Sequence, residues 1–376
     1  MVRGLTTALL MGSSALALPF VDIHERQNTT DCAVQDTYPA VDYAQLPDPF
    51  TFSDGTKVAT KADWACRQAE ISKLLQHTMS VKVTVGSKSV TINTAIKKPS
   101  TSPGPAIITI GGSSLPVPAT VGTVAFGNDA FAAQASGSSR GQGDFYTLFG
   151  NTHSAGALTA WAWGVDRVVD GLVQLGAATT GIDPERLGTT GCSRNGKGAL
   201  IAGALVDRIA LTLPQESGSG GAACWRISDA QHDAGANIQT AGEIVGENVW
   251  FSTNLDAYAT KTTTMPEDHH MLAALTAPRG LFVIENDIDW LGPVSTTGCM
   301  KAGRLIYQGA GVPTNMGFSL VGGHGHCQFP SAQQTDLTTY INYFLLDGAT
   351  PPGVVEVSSA DVDMADWAPW MVPTLI

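Results

Sequence analysis

Apolar positions along the chain follow two rhythms. Val81 to Val85 and Val90 to Ile96 alternate apolar and polar around Gly86-Ser87, the pattern of a half-buried β-hairpin. Ala106-Ile107-Ile108-Thr109-Ile110 is apolar with little alternation and is closed by Gly111-Gly112, which fits a parallel strand buried on both faces. Leu187 to Thr190, Ile209 to Leu213 and Gly280 to Ile284 are further short runs of this kind. Elsewhere the period changes to threes and fours. Leu158, Trp161, Ala162, Val165, Val168, Val169 and Leu172 predict a helix over Ser154 to Leu175, capped by Ser154 and ended by Gly176. Lys61 to Gln76 predicts another, with Trp64, Ile71, Leu74 and Leu75 sharing a face and Thr60 as cap. The small-residue run Ala199 to Val206 reads as a helix, and Leu337, Tyr340, Ile341, Phe344 and Leu345 mark a last one. Strands alternating with helices imply an α/β fold, a three-layer α-β-α sandwich around a mainly parallel sheet. Ser136 to Gly143, rich in glycine and serine, reads as a mobile loop. Asp183-Pro184 turns the chain into the next strand, and the tail from Thr350 has no clear period.

Composition adds a core and a compartment. Apolar residues make up 43% and charged residues 14%, which predicts a sizeable core rather than disorder. Val2 to Phe20 carries Arg3, an apolar run and the small-x-small triplet Ala15-Leu16-Ala17. Residues 1–17 therefore read as a secretory signal peptide, leaving 18–376 as one catalytic domain with an extracellular destination. Six cysteines support export, since oxidising compartments favour disulfides. None forms a C-x-x-C pair, so a structural zinc is not expected. Asn28-Thr29-Thr30 offers a glycosylation site at Asn28. A net charge of −12 argues against nucleic acid as partner, and no later stretch is long enough to span a bilayer.

Chemistry concentrates at Gly191-Cys192-Ser193-Arg194-Asn195-Gly196-Lys197-Gly198, a turn between a strand and a helix. The spacing nearly spells a phosphate-binding loop, but Gly198 stands where a magnesium-ligating Ser or Thr is required. The other reading is a nucleophile elbow, G-x-S-x-G, with Ser193 as nucleophile; Asn195 then occupies the second glycine position. Gly323-His324-Gly325-His326-Cys327 lies just before the last helix, where an α/β-hydrolase keeps its histidine in the order Ser, acid, His. His324 competes with His326 for that role. Two histidines so close could also ligate a metal, yet no third ligand cluster is apparent. Cys192 precedes Ser193 and Cys327 follows His326, so a meeting of serine and histidine brings these cysteines within disulfide range. For the acid, Glu216, Glu285, Asp287 and Asp289 all follow strands and remain open.

These segments resemble the fungal glucuronoyl esterases of carbohydrate esterase family 15. The octapeptide Gly191 to Gly198 carries the likeness. It extends through His153-Ser154-Ala155-Gly156-Ala157-Leu158, Pro214-Gln215-Glu216-Ser217-Gly218, Ile284-Glu285-Asn286, Trp290-Leu291-Gly292 and Gly325-His326-Cys327. The resemblance implies an α/β-hydrolase fold and a serine esterase acting on esters between 4-O-methyl-D-glucuronic acid side chains of glucuronoxylan and lignin alcohols. It implies Ser193, Glu216 and His326 as a triad with Arg194 at the oxyanion, and Lys197, Gln239, Glu247 and Trp290 as uronate-binding residues. It also implies the disulfides Cys32–Cys66, Cys192–Cys327 and Cys224–Cys299. No cofactor or metal is expected, and the protein is expected to act as a monomer. Two other readings stay in view: an esterase for acetyl or feruloyl groups, and a catalytically silent carbohydrate-binding hydrolase fold.

Overall fold

A computed structural model of the chain describes residues 6–9, 52, 54–60, 63, 66 and 77–372. Among them the strands are β1 (Thr6–Leu9), β2 (His77–Val85), β3 (Lys88–Lys97), β4 (Gly104–Ile110), β5 (Gly122–Phe126), β6 (Ile182–Cys192), β7 (Ile209–Gln215), β8 (Gly280–Glu285), β9 (Met316–Leu320) and β10 (Glu356–Val357). They form one sheet in the order β1-β2-β3-β5-β4-β6-β7-β8-β9-β10. From β5 to β10 every neighbouring pair is parallel. The β1-β2-β3 edge is antiparallel, as is the β3–β5 junction.

Burial follows the sequence pattern. β3 alternates exposed and buried over most of its length, whereas β4 and β8 are buried at every position. The helices include α1 (Ala157–Leu175), α2 (Arg194–Leu205), α3 (Trp225–Asp233), α4 (Ala241–Glu247), α5 (Pro293–Gly309) and α6 (Gln334–Leu345). Successive residues of β8 divide between two layers. Leu281 and Val283 pack with Met300 and Tyr307 of α5, while Phe282 and Ile284 pack with Leu337, Tyr340 and Ile341 of α6. Ile108 and Ile110 of β4 join Trp161, Val165 and Leu172 of α1. Each such side chain contributes about 1.5–3 kcal/mol on burial. This is the three-layer arrangement expected, and it exposes the carboxyl ends of the parallel strands for a site.

Several local expectations change. Helix α1 starts at Ala157, with Gly156 rather than Ser154 at its cap. Its first N–H groups need no side-chain partner, because Ala157 and Leu158 donate to the carbonyls of Val249 and Trp250 at 3.0 and 3.1 Å. The 136–143 segment is pinned rather than loose: both Arg140 Nη atoms donate to Phe251 O at 3.1 Å. Asp183-Pro184 lies inside β6, not before it. Strands β5 and β9 and helix α5 had no clear sequence signal. The tail after 350 supplies β10 and a helical turn, Met364–Trp367.

Thr60 and Asp63 exchange backbone-to-side-chain hydrogen bonds, Asp63 N–H to Thr60 Oγ1 at 3.0 Å and Thr60 N–H to Asp63 Oδ2 at 2.8 Å. That is the cap expected before the 61–76 helix, most of which lies outside the described residues. β1 falls within the segment read as a signal peptide; the rest of residues 1–17, with Asn28 and Cys32, lies outside the described residues. Among the described residues no helix is long and apolar enough to cross a membrane.

Candidate active site

Ser193 stands where β6 passes into α2, with φ 60° and ψ −126°, a positive-φ conformation that non-glycine residues rarely adopt. Its N–H donates to Gln215 O at 2.9 Å, and its carbonyl accepts from Lys197 N–H at 3.0 Å. The turn is crowded. A Cβ on Gly196 would fall 2.3 Å from Gln215 O. This explains why the second glycine stands at 196, one place later than the usual pattern. Asn195 takes the vacated place for a separate reason. Its side chain fills the space against Gly111, where a Cβ would lie 2.1 Å from Asn195 Nδ2, and its Oδ1 accepts from Asn128 Nδ2 at 3.0 Å. Asn195 thus ties the serine turn to the end of β4.

The histidine arrives from the loop after β9. Cys192 and Cys327 form a disulfide with Cα atoms 5.8 Å apart, which holds the His326 loop beside the Ser193 turn. Cys192, His326 and Cys327 place ligand-type atoms within 4.8 Å of one another, but both sulfurs are in the bridge and offer no thiolate to a metal. His326 Nδ1 donates to Glu216 Oε2 at 2.6 Å, and the same oxygen accepts from Cys327 N–H at 2.9 Å. The Glu216 side chain is 1% exposed and that of His326 30%, so the carboxylate is sealed behind a ring open to solvent. With its proton on Nδ1, the imidazole presents Nε2 as an acceptor.

His324 is occupied otherwise. Its Nε2 lies 2.7 Å from Val321 O and its Nδ1 3.3 Å from Asn286 Nδ2, with Glu216 Oε1 3.9 Å away. Of the four acids left open by sequence, Glu216 alone among the described residues meets His326. Glu285 Oε1 instead accepts from Ser217 N–H and Oγ, each at 2.8 Å. Asp287 lies against Gly322, and Asp289 opens a short 3-10 turn, Asp289–Leu291.

The residues proposed for sugar binding surround this centre unevenly. Trp290 stands edge-on to His326, ring centroids 4.9 Å apart. Lys197 is buried, its Nζ donating to Ser217 O at 2.6 Å. Burial pushes its ammonium down to about 8, against the upward pull of Glu285 and Glu247. Gln239 Nε2 donates to Glu247 Oε2 at 2.9 Å, at the exposed C-terminal end of α4. Arg194 is exposed, its guanidinium carbon 5.6 Å from the Trp250 ring centroid.

Trp250 carried too little signal to be placed from sequence, and Glu285, named there as a candidate acid, lies elsewhere than beside His326. Trp250 lies under both Arg194 and Lys197, whose Nζ is also 5.6 Å from the ring centroid. Only its position three residues after Glu247 could have suggested it. Glu285 sits deep behind the site, pushed up to about 7 by burial and then by neighbouring Glu216, against the pull of its hydrogen bonds. The second disulfide, Cys224–Cys299, joins the start of α3 to α5. For the third expected pair, Cys32 lies outside the described residues.

The family model for fungal glucuronyl esterases matches residues 81–311. A 4-O-methyl-glucuronoyl methylesterase of Neurospora crassa is 62% identical, with 99% of each chain covered. Another, of Thermothelomyces thermophilus, is 60% identical, with 97% of each chain covered. Among solved structures, a serine-to-alanine glucuronoyl esterase mutant from Sporotrichum thermophile, in complex with methyl 4-O-methyl-β-D-glucopyranuronate, superposes with a TM-score of 0.79 at 60% identity, covering 92% of this chain and 100% of that one. With the serine turn, the sheet and these likenesses in agreement, the chain belongs to the fungal glucuronoyl esterase family.

Proposed function

We propose that the protein is a secreted, monomeric serine esterase of one catalytic domain. It cleaves esters between 4-O-methyl-D-glucuronic acid side chains of glucuronoxylan and lignin alcohols, without metal or cofactor. The observation that carries this reading is the 2.6 Å contact between His326 Nδ1 and Glu216, in a loop bridged by Cys192–Cys327 to the Ser193 turn. Its disulfides fit an extracellular protein.

In this mechanism His326 Nε2 takes the proton of Ser193 Oγ as the oxygen attacks the uronate carbonyl. Glu216 holds the ring and stabilises the imidazolium. The tetrahedral oxyanion is met by the Arg194 N–H at the start of α2, where the helix dipole favours negative charge, and by the Arg194 side chain. One such donor is worth about 2.7–4 kcal/mol. The imidazolium then protonates the departing alcohol, leaving an acyl-enzyme on Ser193. Water, activated by the same histidine, releases the uronic acid. Lys197, Gln239 and Glu247 offer donors and acceptors to sugar hydroxyls, and Trp290 offers an apolar wall.

Ser193→Ala should leave the fold intact and abolish turnover of a benzyl glucuronate ester. Retained turnover overturns the assignment. Faster wild-type cleavage of acetylated xylan or a feruloyl ester than of the glucuronate ester overturns the substrate.

A further inference from the structure

The turn that delivers Glu216 is strained at Glu216 itself. Glu216 has φ 45° and Gly218 φ 51°, so the chain enters the left-handed region twice in three residues. A non-glycine residue held there costs about 1–3 kcal/mol and persists only where its surroundings over-determine it. Here the surroundings are the end of β8. Three successive N–H groups are taken up by two consecutive residues: Glu216 N–H by Ile284 O at 2.7 Å, Ser217 N–H by Glu285 Oε1 at 2.8 Å, and Gly218 N–H by the same oxygen at 3.3 Å. Successive N–H groups of this kind form a concavity that favours an anion. The Ser217 hydroxyl closes it, donating to Glu285 Oε1 at 2.8 Å and accepting from Ala222 N–H at 2.9 Å. On its far side, Ser217 O accepts from Lys197 Nζ at 2.6 Å.

We propose that Glu285 is a positioning residue, whose carboxylate grips the Ser217-Gly218 backbone so that Glu216 is aimed at His326 and the Ser217 carbonyl at Lys197. The inference rests on Glu216 as the triad acid. Glu285 touches neither His326 nor any reacting atom; it acts through the turn. Its own mount is firm, since its carbonyl accepts from Val321 N–H at 3.1 Å and from Gln333 Nε2 at 3.2 Å. Burial favours the neutral acid and the three donors favour the anion, and either form accepts through Oε1. Glu216 is the charged neighbour that acts on Glu285, while Lys197 faces Glu285, Glu247, Arg194 and His269.

A double-mutant cycle tests this with Glu285→Ala, Glu285→Gln and Glu216→Gln, read as kcat and KM on a benzyl glucuronate ester, with calorimetry confirming the fold of each variant. Misplacing a catalytic group by about 1 Å costs on the order of 100-fold. Glu285→Ala should therefore lower kcat about that much, with a smaller change in KM. Glu285→Gln keeps an acceptor oxygen for all three donors and should recover at least about tenfold of the loss. On the Glu216→Gln background, Glu285→Ala should cost little more, because the group it aims is already disabled. A full additive loss on that background, equal losses for Ala and Gln, or an unchanged kcat in folded Glu285→Ala each overturns the proposal. If the wild-type protein does not turn over the uronate ester, the substrate assignment fails instead. The cycle is then read from the rate at which a serine-directed phosphonate labels Ser193, where the same pattern of losses supports the proposal and the same exceptions overturn it.

Discussion

Removing each described disulfide in turn separates stability from catalysis. The Cys192–Cys327 bridge spans 135 residues and Cys224–Cys299 spans 75. The chain-entropy relation gives about 5 kcal/mol for the first and about 4.5 kcal/mol for the second. Unfolding entropy near 2.1 cal/mol/K per residue makes about 0.8 kcal/mol/K for a chain of 376 residues. Cys192→Ala with Cys327→Ala should therefore lower the melting midpoint by about 6 °C, and Cys224→Ala with Cys299→Ala by nearly the same. Activity should not follow stability. Only the first bridge joins the Ser193 turn to the His326 loop, so its loss should lower kcat by roughly 10- to 100-fold at temperatures where the variant is folded. The second joins α3 to α5 and should leave kcat within about threefold. Scanning calorimetry and steady-state kinetics on a benzyl glucuronate ester read both quantities. Equal kcat losses in the two variants, or none in the first, would refute the idea that the bridge positions the histidine.

Three further outcomes follow from the geometry. Glu216→Gln should lower kcat by about 10⁴-fold, as loss of a triad acid does, while Asp287→Asn should stay near wild type; the reverse pattern would move the acid to Asp287. Lys197 holds its charge below about 8 and loses it above, so KM for the uronate ester should rise as pH climbs through about 8, and the rise should be absent in Lys197→Met. A flat KM up to about pH 9 would remove Lys197 from binding. Glu285 is raised from 4.5 to about 7 in the folded protein, so it binds its proton more tightly there than in the unfolded chain. Its contribution to stability is complete below about 4.5 and is lost as pH rises to about 7; in urea titrations Glu285→Gln should flatten the slope across that window.

Much of the frame can be read in the sequence because burial on both faces leaves an unbroken apolar run. Ile107 to Ile110 and Leu281 to Ile284 declare themselves in that way. Strand β5, with Ala125 exposed within Gly122–Phe126, does not. Helix α5 begins with Pro293 and buries Ser295, Thr296 and Thr297, so polar residues occupy positions that a periodicity argument expects to be apolar. The serine turn was legible because its crowding demands glycine at fixed spacing. The choice among acids was not, because Glu216, Glu285 and Asp287 all follow strands, and only the backbone direction at each strand end decides which carboxylate turns toward His326. Asn195 belongs to the same class. Its reason lies in Gly111 and Asn128, both more than sixty residues earlier in the chain.

Among the described residues, four that are not glycine have positive φ, and three of them are Ser193, Glu216 and Cys327, one at each corner of the candidate triad. If each holds about 1–3 kcal/mol of strain, the centre works against the stability of the molecule that carries it. A laboratory selection that rewards heat resistance alone would then be drawn to Ser193 and Glu216, where glycine relaxes the backbone, and would return robust proteins with no chemistry left, whereas at Cys327 the disulfide outweighs the strain. Engineering this scaffold for industrial heat calls for a screen that counts product from the first round, with these three positions held fixed.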